Sequence, residues 1–243
     1  MGTRTSPPVP HIHLLCVEER FSDAFERALA KYNLPFSGSV TIHKCALSFL
    51  PSSVQFDTIV SPANSYGRLD GAFDDAISRA FSPEDDYLAL THVAQALLYK
   101  EWRGFAPPGT CTLLRMPDGF QEHSKNVWGT KYLALCPTMR VPQEVKWDRE
   151  VVYECIWSLL CAIDKHNQLV QDGKGASDVK IQSLLMTPLA TGCGRVSAER
   201  WASQAVLAIK HFVEATENQD KWSALEWADI LDDWKSVQDT WTL

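Results

Sequence analysis

A chain of 243 residues with 30 acidic and 23 basic side chains, net charge −7, lacks the broad basic surface that general nucleic-acid binding requires. Its apolar fraction of 45% and charged fraction of 22% suit a globular protein, and no run approaches the roughly 20 apolar residues of a membrane span. Seven cysteines stand singly at 16, 45, 111, 136, 155, 161 and 193, an odd count with no Cys-x-x-Cys pair, the pattern of reduced, mostly buried thiols. The expected setting is therefore intracellular, cytoplasmic or nuclear.

Residues 1–10, with three prolines, read as a flexible tail. They carry no apolar core of a secretory leader, and MGTRTS fits the loose N-myristoylation pattern, a motif short enough to match by accident. HIHLLCV (11–17) has the composition of a buried strand. His11 and His13 share one face of it, but no third ligand is evident, so no metal and no cofactor are expected. Phe21, Ala24, Phe25, Ala28 and Leu29 follow helical spacing over 18–32. Strand composition returns at 40–49 and again at 58–61.

The stretch 57–81, DTIVSPANSYGRLDGAFDDAISRAF, reads as strand, small-residue loop and helix. A helix N-terminus presents unpaired N–H groups and a positive dipole end, so a ligand site is expected here. Ser82-Pro83-Glu84 has the signature of a helix start, predicting a helix to about Trp102 with Ser82 as N-cap. A strand follows at 109–116, then a turn at Pro117-Asp118-Gly119 opening a polar loop to Thr130, and a strand at 132–138. A long helix is expected over 147–166 and a loop over 168–177. The strand at 180–188 runs into LATGCGR, and Ser197 caps a helix with Trp201, Ala205, Val206, Ile209, Phe212 and Val213 on its apolar face. From about Glu217, four tryptophans recur among acidic residues. The plain expectation is a terminal helix packed back on the domain; the sharper alternative is a segment that binds a protein partner.

Two strand–loop–helix units with small residues in their loops can bring those loops together at the carboxyl edge of one sheet. The segment IVSPANSYGRLDGAFDDAI resembles the first signature of macrodomains, the ADP-ribose-binding α/β/α modules, and TPLATGCGRVSAERWASQAVLAI resembles the second. The resemblance implies a three-layer α/β/α sandwich on a mixed, mainly parallel sheet. It covers most of the chain, so a domain is expected at 11–216, between the tail read at 1–10 and a Trp-rich acidic helical appendage at 217–243. The partner it implies is ADP-ribose or an ADP-ribosylated substrate, with no membrane.

Under that resemblance Asn64 meets the distal ribose, and Gly71 and Ala72, with Thr191, Gly192, Cys193 and Gly194, hold the diphosphate. Asp74 activates water near the anomeric carbon, its ionised form favoured by the helix dipole, with Asp70 as a second candidate carboxylate. The leading activity is hydrolysis of an ADP-ribose linkage at the distal ribose; the alternative is a non-catalytic reader. Each residue also has a plainer role: Asn64 as a turn former, Asp70 as an N-cap, Asp74 as a helix-start acid, and Cys193 as loop lining rather than nucleophile. Arg68 and Arg195 flank the two loops, available to phosphate or to solvent. Three features depart from the family pattern. Ala46 stands where an adenine-binding Asp is expected, Arg68-Leu69-Asp70 replaces a run of glycines, and the second loop has no aromatic near Cys193.

Overall fold

The computed structural model describes residues 9–34, 39–174 and 178–243, so most of the expected tail lies outside the described residues. Six strands form one sheet: β1 (His11–Leu15), β2 (Val40–His43), β3 (Thr58–Ser61), β4 (Thr112–Arg115), β5 (Tyr132–Leu135) and β6 (Ser183–Met186). Their spatial order is β2-β1-β6-β3-β5-β4, parallel throughout except for the antiparallel β4–β5 pair. Parallel neighbours need crossover connections, and helices supply them. These are α1 (Glu19–Lys31), α2 (Phe73–Phe81), α3 (Ala89–Trp102), the short α4 (Asp118–His123) and α5 (Val151–Gln171), with α6 (Ala198–Glu217) following the last strand.

The strands are buried on both faces because successive side chains point to opposite sides. Ile12, Leu14, Val60, Ala134 and Leu184 enter a core shared with α1, α5 and α6. Leu15, Ile59, Leu133, Leu135 and Leu185 enter a second core shared with α2 and α3. That is the expected mixed, mainly parallel α/β/α sandwich. In the first core, Trp201 is fully buried between Phe21, edge-on at 5.9 Å, and Phe25 at 5.7 Å. Ser197 caps α6 as expected, its side chain accepting the Arg200 N–H. Among the described residues no helix is long and apolar enough to cross a membrane.

Four local expectations are corrected. Ser82 is not an N-cap; it is the C-cap of α2, its Oγ–H donates to the Tyr87 carbonyl and its Oγ accepts the Leu90 N–H, and α3 begins only at Ala89. The hydroxyl bridges a turn between two helices, a competing use of the same side chain. The segment after Pro117 folds into α4 instead of staying a loop. The long helix starts later and ends later than expected, at Val151 and Gln171, so the first part of the expected 168–177 loop is helix, and 175–177 lie outside the described residues. The terminal segment forms two helices, α7 (Gln219–Trp222) and α8 (Trp227–Gln238). It packs back on the domain: Val237 and Thr240 are buried, and Gln204 donates to Thr240 Oγ1 at 2.9 Å.

Near the edge of the sheet three histidines form a row. His13 Nδ1 and His43 Nε2 are 3.0 Å apart, and the rings of His11 and His13 meet edge-on at 4.6 Å. Burial, then the charges of His11 and His43, push the His13 pKa down to about 4, and burial and His11 lower His43. A folded pKa below the unfolded value means that the unfolded chain takes up the proton first as pH falls. The thermal midpoint is therefore expected to fall as the pH drops from about 6.5 towards 4, and His13→Gln is expected to flatten that slope in a pH series of melting curves. An unchanged slope would remove the row from the acid response.

Candidate functional site

The parallel strands all present their carboxyl ends on one side of the sheet. Where crossovers leave to opposite faces, a crevice opens beyond those ends. Here that crevice is a cleft of about 530 Å³. It is lined by segments that follow β1 (Leu15, Val17), β2 (Cys45, Ala46), β3 (Pro62 to Asp74), β5 (Thr138, Met139) and β6 (Thr187 to Gly194). All nine site residues read from the sequence line it: Asn64, Asp70, Gly71, Ala72, Asp74, Thr191, Gly192, Cys193 and Gly194.

The first loop is shaped by Asn64. Its Oδ1 accepts the Tyr66 N–H at 3.0 Å, and its Nδ2 donates to the Arg68 carbonyl at 2.7 Å. This is the turn-forming role: a short amide closing the loop on itself. The loop is further tied down by a bridge between Asn64 and Met139 and by the Ser65 N–H on the Met139 carbonyl, 3.0 Å. Arg68 folds onto Asp70, with Nε 2.9 Å from Oδ2, so these two charges first answer each other. Asp70 does not cap α2. The residue before the helix is Ala72, at φ 50°, ψ −120°, a conformation that glycine reaches freely and alanine only under strain. The loop that lacks its expected glycines thus keeps a glycine-like backbone.

Asp74 lies in the first turn of α2 and is 6% exposed. Ser61 Oγ donates to its Oδ1 at 2.6 Å. Burial lifts the Asp74 pKa to about 7; the Ser61 hydrogen bond works against that rise and the Asp70 charge adds to it. The expectation that the helix dipole favours the ionised form is corrected: desolvation of the carboxylate outweighs it. What results is a carboxyl group poised near neutral pH inside a cleft, suited to taking and giving a proton.

The second loop turns on Ala190 and Arg195, both at positive φ. It is closed by the Arg195 N–H on the Gly192 carbonyl, 3.1 Å, and the Val196 N–H on the Ala190 carbonyl, 3.1 Å. The N–H groups of Gly192, Cys193 and Gly194 find no acceptor among the described residues. Successive free N–H groups are the means by which an acidic chain holds an anion without lysine. Arg195 is turned to Glu144, at 3.0 Å. Cys193 is exposed, and all seven cysteines are free thiols.

No family model matches the chain, and no curated protein matches it. Among solved structures it is similar to an Oceanobacillus iheyensis macrodomain with ADP, at 19% identity and a TM-score of 0.47, over 65% of this chain and 70% of that one. A mutant of the same macrodomain with ADPR is similar at 16% identity and a TM-score of 0.48, over 68% and 76%. The form with MES bound gives 16% and 0.47, over 76% and 83%. The likeness is one of fold.

Several lining residues escaped the sequence reading. Glu18 and Phe21 come from the start of α1, and Thr138, Met139 and Pro142 from the segment after β5. Cys136-Pro137 reads as the middle of a strand, yet β5 ends at Leu135, and the Thr138 N–H binds the Ala63 carbonyl at 3.0 Å. Pro137 was the available signal, since proline lacks the N–H that a central strand needs. Phe21 and Phe73 are aromatic residues of the cleft wall, the second loop contributes none, and the residue at position 46 is alanine and not a carboxylate. Among the described residues no group of three or more His, Cys, Asp or Glu side chains is arranged to hold a metal ion.

Proposed function

We propose that the cleft binds ADP-ribose and that the chain hydrolyses an ADP-ribose linkage at the distal ribose. The observation that carries this reading is a single cleft joining unpaired backbone N–H donors to a buried, near-neutral carboxyl group. The diphosphate meets the N–H groups of 192–194 and the backbone around Gly71 and Ala72, just ahead of the positive end of α2. Asp74 accepts a proton from water as the water oxygen bonds to the anomeric carbon and the bond from that carbon to the leaving group breaks; the proton then passes to the leaving group, and Ser61 holds the carboxylate in place.

A reader that binds without turnover is the second reading. It is favoured by Asn64, whose side chain is engaged within its own loop and so is less available to a ribose.

Calorimetry with ADP-ribose tests the shared part of both readings. A micromolar Kd is expected, about −8 kcal/mol, and no heat at about 1 mM ligand would overturn both. Turnover of a mono-ADP-ribosylated protein then separates hydrolase from reader.

A further inference from the structure

Behind the second loop lies a groove of about 760 Å³ that shares Gly194 with the cleft. It is bounded by the 144–149 segment, the start of α6 and the end of the chain around Trp241. Four cations line it, Lys146, Arg149, Arg195 and Arg200, against one carboxylate, Glu144. On a chain of net charge −7 this is a local reversal of sign, and a concave wall concentrates such a field.

The cations are placed differently. Arg195 Nη1 reaches Glu144 Oε1 at 3.0 Å, and Lys146 pairs with the other oxygen of the same carboxylate. The guanidinium of Arg149 lies over the Trp241 ring, 4.9 Å from its centroid. Arg200 donates Nη2 to the Trp241 carbonyl at 2.6 Å, while its Nε is buried with no acceptor among the described residues. Trp241 in turn gives its indole N–H to Glu150 at 2.9 Å, which fixes the groove wall.

We propose that this groove binds an acidic polypeptide segment. Glu144 already shows how a carboxylate sits there, held by two of the four cations at once. The cations come from two separate stretches of chain, 146–149 and 195–200, on different walls of the groove, which suits carboxylates spaced along a peptide better than one compact polyphosphate. Val145, Val196 and Trp241 add apolar wall for the peptide's own carbon atoms. Because Gly194 lines both sites, a protein modified with ADP-ribose in the cleft would lay its flanking acidic residues in the groove; that link rests on the proposed function, whereas the groove itself does not.

The test uses the full chain and a fluorescein-labelled peptide alternating glutamate and glycine, read by fluorescence anisotropy. Saturable binding is expected, with no binding of a lysine–glycine peptide of the same length. Charge reversal at two exposed residues, Lys146→Glu with Arg149→Glu, is expected to weaken it about tenfold or more. Raising salt from about 0.01 M to about 1 M shortens the screening length from roughly 30 Å to roughly 3 Å, and is expected to abolish binding in the unaltered chain as well.

No binding of the glutamate peptide, binding indifferent to salt, or binding indifferent to both substitutions would overturn the proposal. So would displacement by inorganic tripolyphosphate at concentrations far below the peptide's own Kd, which would make the groove a polyphosphate site. ADP-ribose calorimetry on the same double variant is expected to be unchanged. A chain that binds the peptide but not ADP-ribose upholds the groove and overturns the cleft reading; the reverse result overturns the groove alone.

Discussion

Asp74→Asn is expected to slow single-turnover hydrolysis of an ADP-ribosylated substrate by about 10²- to 10⁴-fold, the usual worth of a positioned acid–base group. ADP-ribose affinity is expected to stay within about twofold, because the diphosphate contacts come from backbone N–H groups that the substitution leaves alone. Asparagine keeps the size of the side chain and an acceptor for the Ser61 hydroxyl. The loss would therefore report proton transfer and not a collapsed site.

The pH dependence gives a second handle. A base works in its ionised form, so activity is expected to rise as pH climbs through about 7, the value to which burial lifts this group, and the residual activity of Asp74→Asn should lack that step. Full turnover by Asp74→Asn would remove Asp74 from the chemistry.

The same group carries a stability cost. Its folded pKa, about 7, lies above the ordinary carboxyl value of 3.8, so at pH values between the two the folded chain holds the proton that the unfolded chain has lost. The stability it contributes is complete below the unfolded value and is lost as pH rises through the folded one. Above that window the cost of a buried carboxylate is on the order of 4 kcal/mol, at about 1.4 kcal/mol per pH unit of displacement. Asp74→Asn is therefore expected to be more stable than the parent chain at pH 8 and little changed at pH 4. A variant that gains stability while losing turnover is the behaviour of a strained functional group, not of a structural one.

How far the site could be read from residues alone is visible in Asp74 itself. Its place in the first turn of a helix after a small-residue loop was legible, because helix periodicity and turn chemistry are local. Its protonation was not, because burial depends on Ser61 and the strands behind it. Asn64 makes the same point: the sequence left it between ligand and turn, and only the folded loop shows both ends of the amide engaged with Tyr66 and Arg68. The α/β/α layering was legible because fully apolar strands alternate with amphipathic helices, whereas the strand order, which brings β6 beside β3 and joins the two loops in one cleft, is a long-range fact. Ser82 misled because a hydroxyl followed by proline caps a helix or bridges a turn with equal ease.

Gly194→Ala is expected to cost about 1–3 kcal/mol of stability and to weaken ADP-ribose binding about tenfold or more, the latter a loss of about 1.4 kcal/mol. A Cβ at this position would press into the Ala190 carbonyl oxygen, well inside van der Waals contact, and would come within 2.9 Å of Val145 Cγ2. The carbonyl cannot swing away cheaply, since it accepts the Val196 N–H that closes the loop. Nor can residue 194 retreat freely, because its own carbonyl holds the Val145 N–H at 2.9 Å. The strain must then be relieved by moving the loop backbone, and that backbone carries the free N–H groups offered to the anion. Gly192→Ala is the control two residues away: its Cβ would meet no heavy atom within 4 Å, so its melting temperature is expected to match the parent chain. Equal stability for the two variants in thermal melts would mean that the second loop is not held by packing at Gly194. A stable Gly194→Ala with unchanged ADP-ribose affinity would move the anion site away from this loop altogether.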